Sequence, residues 1–215
     1  MVQANQMTNL VLHTDFYQRP DVVQISRELL GKFLVTDMEG GLTAGKIVEV
    51  EAYRAPDDKA CHAYQNKRTP RTEVMFMPGG YSYVYLCYGI HHLFNVVTGT
   101  EGSASAVLIR AVEPVDGIPL MMKRRGFQVE KPQLTAGPGV MTQALGITTK
   151  ANAHCLFSGN ARIWIEDRGK NIKESEILAS PRVGVAYATE CAHWPWRFRI
   201  KGNPWCSKAE TKYKF

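Results

Sequence analysis

The sequence predicts an α+β fold, in which residues 1–215 form one compact domain of antiparallel strands and short helices with a protruding β-hairpin. A chain of 215 residues is long enough for one sizeable core, and a second full domain is not expected. Most apolar runs are short and bounded by turn residues, as is typical of strands. Helical spacing is confined to a few short segments, so strands are predicted to dominate.

The first predicted elements are a short helix and two strands. Asp21 is a suitable N-cap, the apolar residues after it follow helical spacing, and Gly31 suits the C′ position. Residues 32–35 and 46–54 are predicted to be strands joined through the glycine-rich segment MEGGLTAG.

A β-hairpin is predicted in the stretch YSYVYLCYGIHHLFN, residues 81–95. The first three tyrosines alternate with smaller or aliphatic residues, so they share one face of a strand. Tyr88 falls out of phase beside Gly89, and residues 92–97 form the return strand, which places Tyr88 near the hairpin tip. A tyrosine there has little core to join, so it is predicted to meet another surface.

The remaining elements are short. A loop over residues 55–80 is long for a compact domain, and loops of that length are often functional. LMMKRR is predicted to be a short helix ending at Gly126, and a further helix begins at Pro138 and stops at Gly146. Further strands are predicted at residues 106–112, 161–165, 183–188 and 197–201.

The charge is basic, with a net charge of +6 and a pI of about 9.1. Basic clusters occur in NKRTPR, in KRR and in the last twenty or so residues, roughly as expected for a protein that binds a polyanion. A solvated basic surface explains the same charge equally well, so charge alone does not identify a partner.

Several classes of protein are not expected. No apolar run approaches the length of a membrane span, and the first residues lack the layout of a signal peptide. Five cysteines without a CxxC pair do not resemble a disulfide framework, which favours a reduced, cytoplasmic protein. The histidines and cysteines lack the spacing of a zinc site, and the signatures of a phosphate loop and of a serine or cysteine nucleophile are missing.

The strand KIVEVEAYR carries two candidate carboxylates. Alternation places Glu49, Glu51 and Tyr53 on the face opposite to the core. The pattern alone favours a half-exposed strand with a solvated acidic face over a carboxylate beside an aromatic platform. Nothing in the strand distinguishes Glu51 from Glu49 as a functional group.

Two polar residues lie inside apolar runs. A buried guanidinium at Arg110 requires a carboxylate partner, for which Glu49 and Glu51 are the candidates. A structural salt bridge or an arginine on an edge strand is an equally good interpretation. Asn95 lies between Phe94 and Val96, where its amide either meets a ligand or satisfies a nearby backbone group, the second being the commoner case.

Several motifs stand in order along the chain: E-A-Y, a histidine nine residues after that tyrosine, T-P-R, M-F-M, Y-V-Y, Y-G and an asparagine. VLIRAVEP, AGPG with QALGI, PRVGVAY and GNPWCS follow. Together they resemble the alkyladenine (3-methyladenine) DNA glycosylase family, over nearly the whole chain after about residue 10. Several motifs at matched spacing are far more specific than any single one.

The resemblance implies a monofunctional glycosylase of DNA base-excision repair. It would flip alkylated or otherwise damaged purines out of double-stranded DNA, hydrolyse the N-glycosidic bond and leave an abasic site. It implies an enzyme that needs no metal or cofactor. Nothing in the sequence suggests an oligomer, so a monomer is expected. No lysine matches a nucleophile motif, so strand cleavage is not expected. The preference among 3-methyladenine, 7-methylguanine, hypoxanthine and ethenoadenine does not follow from the sequence.

Matched by position, the resemblance assigns the chemistry and the DNA contacts. It makes Glu51 the general base that activates water, with Arg110 and the main-chain carbonyl of Val183 helping to hold that water. Tyr88 would be the wedge that enters the minor groove, and Arg71 would meet phosphates.

The resemblance also implies the base pocket. Tyr53, His62 and Tyr85 would line it and stack on the flipped base, and Asn95 would disfavour guanine by crowding its exocyclic 2-amino group. Three alternatives stand beside this hypothesis: a non-catalytic nucleic-acid-binding module, a hydrolase of free nucleosides or glycosides that uses Glu49 and Glu51 as a carboxylate pair, and a purely structural protein.

Overall fold

Strand β2 (Gly41–Arg54) organises the fold, because three other strands pair with it. The structure is a computed structural model that describes residues 10–210. Strand β1 (Phe33–Met38) and strand β8 (Arg197–Ile200) pair with successive parts of β2, and strand β5 (Ser105–Asp116) pairs along most of its length. All of these pairings are antiparallel.

The other strands extend this sheet. The strand order is β3-β4-β5-β2-β1-β6, and β7 pairs with β8 beside β2. Their bounds are Ser82–Cys87 for β3, His91–Thr98 for β4, Ile163–Glu166 for β6 and Ile177–Ser180 for β7. The eight antiparallel strands and a few short helices confirm the predicted α+β class.

The helices are short, and the three that the sequence predicts end where it predicts. Helices α1 to α4 span Thr14–Tyr17, Val22–Leu29, Ile118–Arg125 and Pro138–Leu145. The Asp21 carboxylate accepts hydrogen bonds from the two amides of Val23 and Gln24, which caps α2. Gly126 and Gly146 adopt left-handed conformations directly after α3 and α4. No helix within residues 10–210 is long and apolar enough to cross a membrane.

The main core lies on one face of the sheet, where α2 packs on β2 and α4 packs on β4 and β5. Val50 and Ala52 of β2 belong to this core, as predicted. The alternate residues Tyr53 and Tyr83 belong instead to a smaller cluster on the opposite face, beneath the segment of residues 55–80. The two faces of β2 and β3 therefore serve different purposes, one for packing and one for the site described below.

A β-bulge interrupts the pairing of β2 with β5. The pair Glu49–Ala111 is followed by the pair Val50–Ile109, so the register skips Arg110. A second irregularity lies just before Glu49 on β2. Bulges bend a strand and change the direction of its side chains. Here they lie where the charged residues of both strands meet.

The predicted strand at residues 183–188 is wrong. Gly184 has a left-handed φ of 75°, and Ala186–His193 form 3-10 turns. The amide of Val183 donates to the side chain of Glu51 rather than to a neighbouring strand. An alternating apolar pattern cannot distinguish a strand from a segment whose backbone groups are bound by side chains.

The other predicted strands and helices are present, with bounds that differ by a few residues at some ends. The sequence did not predict α1 or β7, which are only four residues each. The long segment of residues 55–80 also contains two 3-10 turns, Tyr64–Asn66 and Glu73–Phe76.

Candidate active site

A cavity of about 520 Å³ opens on the face of the sheet opposite the main core. Its walls come from β2, β3, β4 and β5, from the segment of residues 55–80 and from residues 183–187. All nine residues singled out from the sequence line it: Glu51, Tyr53, His62, Arg71, Tyr85, Tyr88, Asn95, Arg110 and Val183. The structure thus brings them together, whereas their individual roles stay predictions.

The carboxylate of Glu51 is held at the bottom of the cavity by three groups. The Val183 amide donates to Oε1 at 2.7 Å, and the Tyr53 hydroxyl donates to Oε2 at 2.8 Å. A guanidinium nitrogen of Arg110 lies 3.3 Å from Oε2. Burial, followed by the charge of Glu51, raises the pKa of Tyr53 well above its usual value, so the phenol stays a donor.

Glu49 lies behind Glu51 and outside the lining of the cavity. Its carboxylate accepts hydrogen bonds from Nε of Arg110 at 2.7 Å and from Nε of Arg197 at 2.9 Å. The amide and the hydroxyl of Ser207 also donate to it, at 2.5 and 2.9 Å. Burial alone raises the pKa of Glu49, but the charges of Arg110 and Arg197 outweigh it, and the pKa is lowered.

The solvated acidic face expected from the strand pattern is therefore wrong, because both Glu49 and Glu51 are 0% exposed. The carboxylate partner expected for Arg110 is confirmed, and it consists of both candidates rather than one. Burial of two carboxylates is tolerated here because guanidinium groups and hydrogen-bond donors surround them.

An aromatic wall forms one side of the cavity. The rings of Tyr83 and Tyr85 lie 5.2 Å apart, and the ring of His62 meets Tyr85 edge-on at 4.8 Å. The guanidinium of Arg71 lies 4.7 Å from the centre of the Tyr85 ring. Tyr83 was not singled out as a site residue, although the alternation that selected Tyr85 places both on the same face.

His62 is neutral at neutral pH. Burial, followed by the positive charge of Arg71, lowers its pKa from 6.5 to about 4. Its Nδ1 lies 2.8 Å from the Tyr83 hydroxyl, and its Nε2 lies 3.5 Å from a guanidinium nitrogen of Arg71. A guanidinium only donates, so the contact with Arg71 favours the tautomer in which Nε2 accepts and Nδ1 carries the proton.

The low pKa of His62 makes the folded state sensitive to acid. Above pH 6.5 the imidazole is neutral in the folded and in the unfolded protein. As the pH falls from 6.5 towards 4, only the unfolded chain takes up the proton, so the free energy of unfolding decreases. In His62→Gln, we expect the acid-induced decrease in the free energy of unfolding to be smaller than in wild type by roughly 2–3 kcal/mol. Urea unfolding at pH 7 and pH 4.5 measures it, with the exposed His154→Gln as the matched control. An equal acid loss in wild type and His62→Gln would contradict the assignment.

Tyr88 stands at the tip of the hairpin. The amide of Ile90 donates to the carbonyl of Cys87, and the two residues between them, Tyr88 and Gly89, have positive φ values of 51° and 74°. These are features of a type I′ turn, which favours Asn-Gly. Tyr88 is 90% exposed, so neither packing nor backbone preference accounts for a tyrosine here.

Asn95 combines the two interpretations open from the sequence. Its amide nitrogen donates to the carbonyl of Tyr83 at 3.0 Å, which satisfies a neighbouring backbone group. The side chain is also buried and lines the cavity. The hydrogen bond fixes the direction in which the amide faces the cavity.

The segment that carries Val183 was the part of the site that sequence reasoning described least well. Arg182 is fully buried and bound to Asp58 through two hydrogen bonds of 2.5 and 2.8 Å, and its guanidinium lies 4.7 Å from the centre of the Tyr53 ring. Tyr187 lines the cavity and is 66% exposed. No spacing rule marks these residues, because Asp58 and Arg182 are far apart in sequence.

The three basic clusters have different structural roles. Arg71 lies at the cavity, in the first cluster. In the second cluster, Arg124 and Arg125 donate to main-chain carbonyls of the protein itself. In the third, Arg197 is 2% exposed. Part of the basic charge therefore stabilises the fold and is not available to a partner. Within residues 10–210, no group of three or more histidine, cysteine or acidic side chains is placed to hold a metal ion.

Comparison with known proteins identifies the family. The model of the family described as methylpurine-DNA glycosylase matches residues 15–204. A protein of Bacillus cereus (strain G9842) named "Putative 3-methyladenine DNA glycosylase" is 46% identical over 199 residues, which cover 90% of this chain and 97% of that protein. A protein of the same name from Chlamydia abortus (strain DSM 27085 / S26/3) is 46% identical over 192 residues, covering 88% and 98%. The chain therefore belongs to the methylpurine-DNA glycosylase family.

Proposed function

We propose that this protein excises alkylated and otherwise damaged purines from double-stranded DNA as a monomer, by hydrolysis of the N-glycosidic bond with water activated by Glu51. The product is free base and an abasic site. Support comes chiefly from one observation: a buried carboxylate with three fixed donors stands at the bottom of an aromatic cavity. Cleavage builds positive charge on the sugar, which an anionic carboxylate stabilises while it takes a proton from water.

The contacts favour Glu51 over Glu49 as the general base. Four donors already surround Glu49, as many as a carboxylate normally accepts. Among the described contacts, Oε1 of Glu51 accepts only the hydrogen bond from the Val183 amide. A free lone pair on Oε1 can bind water beside residue 183. The carbonyl of Val183 is then a candidate for a second contact to that water.

A base inside a duplex cannot reach this cavity, because the cavity is concave and bounded by the sheet. The nucleotide must leave the stack, which costs a few kcal/mol. An aromatic residue that enters the minor groove can fill the gap, and exposed Tyr88 at the hairpin tip is suited to that role. Arg71, at the cavity mouth, is suited to a phosphate contact while it packs on Tyr85.

The same cavity favours damaged purines without reading sequence. Purines that carry a positive charge after alkylation gain roughly 0.5–2 kcal/mol from the rings of Tyr53 and Tyr85. Neutral His62 adds no repulsion to such a cation. Asn95, whose amide donates to the Tyr83 carbonyl, would crowd a 2-amino group and so disfavour guanine.

The experiment that tests this function measures free base and alkali-labile sites after incubation with a duplex that contains one ethenoadenine, and with methylated duplex DNA. We expect both products from lesion DNA, no strand cleavage before alkali treatment, and neither product from the undamaged duplex. Binding of duplex DNA without release from any lesion would replace this proposal with a non-catalytic binding module. Release from free nucleosides would favour the small-molecule hydrolase instead.

Tyr88→Asn is expected to separate stability from function. Asn-Gly is the preferred type I′ sequence, so the free energy of unfolding should rise by up to about 1 kcal/mol. Removal of the ring should weaken binding to lesion duplex and slow base release by about tenfold or more, because the gap left by the flipped base stays empty. Chemical unfolding and single-turnover release measure the two effects.

Tyr88→Phe is the matched control, since it keeps the ring at the tip. It should retain most of the release rate. If Tyr88→Asn released ethenoadenine as fast as wild type, the tyrosine would not act as the wedge and its place in a strained turn would need another explanation.

A further inference from the structure

The two buried carboxylates share one guanidinium. Nε of Arg110 contacts Glu49 at 2.7 Å, and Nη1 of the same side chain lies 3.3 Å from Glu51. A single positive charge does not balance two negative charges in a buried site, and two carboxylates that compete for it would raise the pH at which the pair takes up a proton. A second cation is therefore required if both are to stay ionised.

Arg197 supplies that second charge. Its Nε donates to Glu49 at 2.9 Å from β8, where Arg197 is the cross-strand partner of Glu51. A guanidinium does not deprotonate in proteins, so the charge is permanent. The other guanidinium nitrogens donate to the carbonyls of Ala209 and Ser207 at 2.7 and 3.1 Å, which fixes the side chain from the segment of residues 207–209.

Residues 207–209 act on the carboxylate as well as on the cation. The amide and hydroxyl of Ser207 both donate to Glu49, so all four donors of that carboxylate are assembled only when this segment is in place. Glu49 and Arg197 are both nearly inaccessible to solvent, at 0% and 2% exposure. Their interaction is accordingly weakly screened by water and salt.

We propose that Arg197, held by residues 207–209, is a positioning residue that matches the charge of Glu49 and leaves the charge of Arg110 to stabilise the anionic form of Glu51. This inference rests on the proposed function of Glu51 as general base. Arg197 does not line the cavity. It acts through Glu49 and Arg110.

Several other charged or titratable groups face Glu49 and Glu51 from the elements packed around them. They are Arg110 from β5, Arg199 from β8, Tyr53 from β2, Tyr85 from β3, Arg182 from the segment before Val183, and Cys206 from the segment before Ser207. Arg182 is already paired with Asp58. The tyrosines and the cysteine have raised pKa values because of burial and remain neutral at the pH of interest. Among residues 10–210, Arg197 is thus the cation bound directly to Glu49 besides Arg110.

The test is the pH profile of single-turnover release of ethenoadenine by the full chain. We expect Arg197→Met to move the acid limb of the profile upwards by about one pH unit or more, because the cluster then carries an uncompensated negative charge. The charge-balanced double variant Glu49→Gln/Arg197→Met should return the limb to its wild-type position. Arg197→Lys, which keeps the charge, should not move it. Lower rates at every pH with an unmoved limb would mean a purely structural role and overturn the proposal.

A second readout does not depend on activity. Titration of the 13C-labelled glutamate carboxyl groups by NMR should show a higher protonation midpoint for the Glu49/Glu51 pair in Arg197→Met. If that variant does not fold, Ser207→Ala removes one donor from Glu49 and should raise the midpoint less but in the same direction. Unchanged midpoints overturn the inference even if wild type releases base. Raised midpoints in Arg197→Met, together with no base release by wild type, would overturn the proposed function and still support the charge balance.

Discussion

Glu51→Gln is expected to abolish base release while the protein still binds lesion DNA. A general base contributes about 10²–10⁴-fold, and the amide cannot take a proton from water, so release should fall by at least that factor. The side chain keeps its length and can still accept from the Val183 amide through its remaining oxygen. The nitrogen then faces Arg110, so a modest loss of thermal stability is also expected. Single-turnover release and binding of an ethenoadenine duplex measure the two properties separately.

Glu113→Gln is the matched control. Glu113 also lies in a strand of the central sheet and pairs with a cation, Lys46, at 2.7 Å, but it does not line the cavity. It should release base at the wild-type rate. If Glu51→Gln kept a rate near that of wild type while still folded, the general base would have to be another group, and the proposed mechanism would be wrong.

The sequence predicted the faces of the hairpin well because their cause is local. Alternation along β3 places Tyr83 and Tyr85 towards the cavity and Val84 in the main core. The turn residues after β3 mark the tip in the same way. Local periodicity and turn chemistry therefore sufficed to place Tyr88 away from any core.

Local periodicity and turn chemistry could not distinguish Glu49 from Glu51. Both lie on one face of β2, and the difference between them is the set of donors that reaches each. Those donors come from residues 183 and 207, which lie more than 130 positions further along the chain than the two glutamates. The bulge at Arg110 also depends on the register between two strands. Motif resemblance selected Glu51, and the contacts support that proposal on physical grounds.

The mistaken strand at residues 183–188 has the same origin. Its apolar alternation is real, but the amide of Val183 binds a carboxylate and Arg182 binds a buried aspartate. Long-range polar contacts overrode the local pattern. Segments bound in this way are where a functional site and a sequence-based secondary structure are expected to disagree.

Asp58→Ala is the prediction with the largest expected effect on stability. The Asp58 carboxylate pairs with both terminal guanidinium nitrogens of Arg182 and accepts from the amide of Ala60, and neither side chain of the ion pair is exposed. Removal of one partner leaves a buried charge without its counter-ion, which costs about 3–5 kcal/mol. Chemical unfolding at pH 7 measures this loss.

The neighbouring Asp57→Ala is the matched control. Asp57 pairs with Arg54 at 2.5 Å, but both side chains are more than 40% exposed. Solvent screens such a pair, so the free energy of unfolding should fall by only about 0–1 kcal/mol. Similar losses for the two variants would mean that burial of the Asp58–Arg182 pair does not determine its contribution.

The Asp58 variant also links the fold to the proposed chemistry. Arg182 directly precedes Val183, whose amide holds Oε1 of Glu51, and its guanidinium packs on Tyr53, which holds Oε2. Loss of Asp58 therefore loosens both supports of the carboxylate at once. We expect the single-turnover rate of the folded fraction to fall at temperatures well below the melting transition. A stability loss with an unchanged rate would instead show that Glu51 is oriented by Arg110 alone, since Arg110 is anchored independently by Glu49.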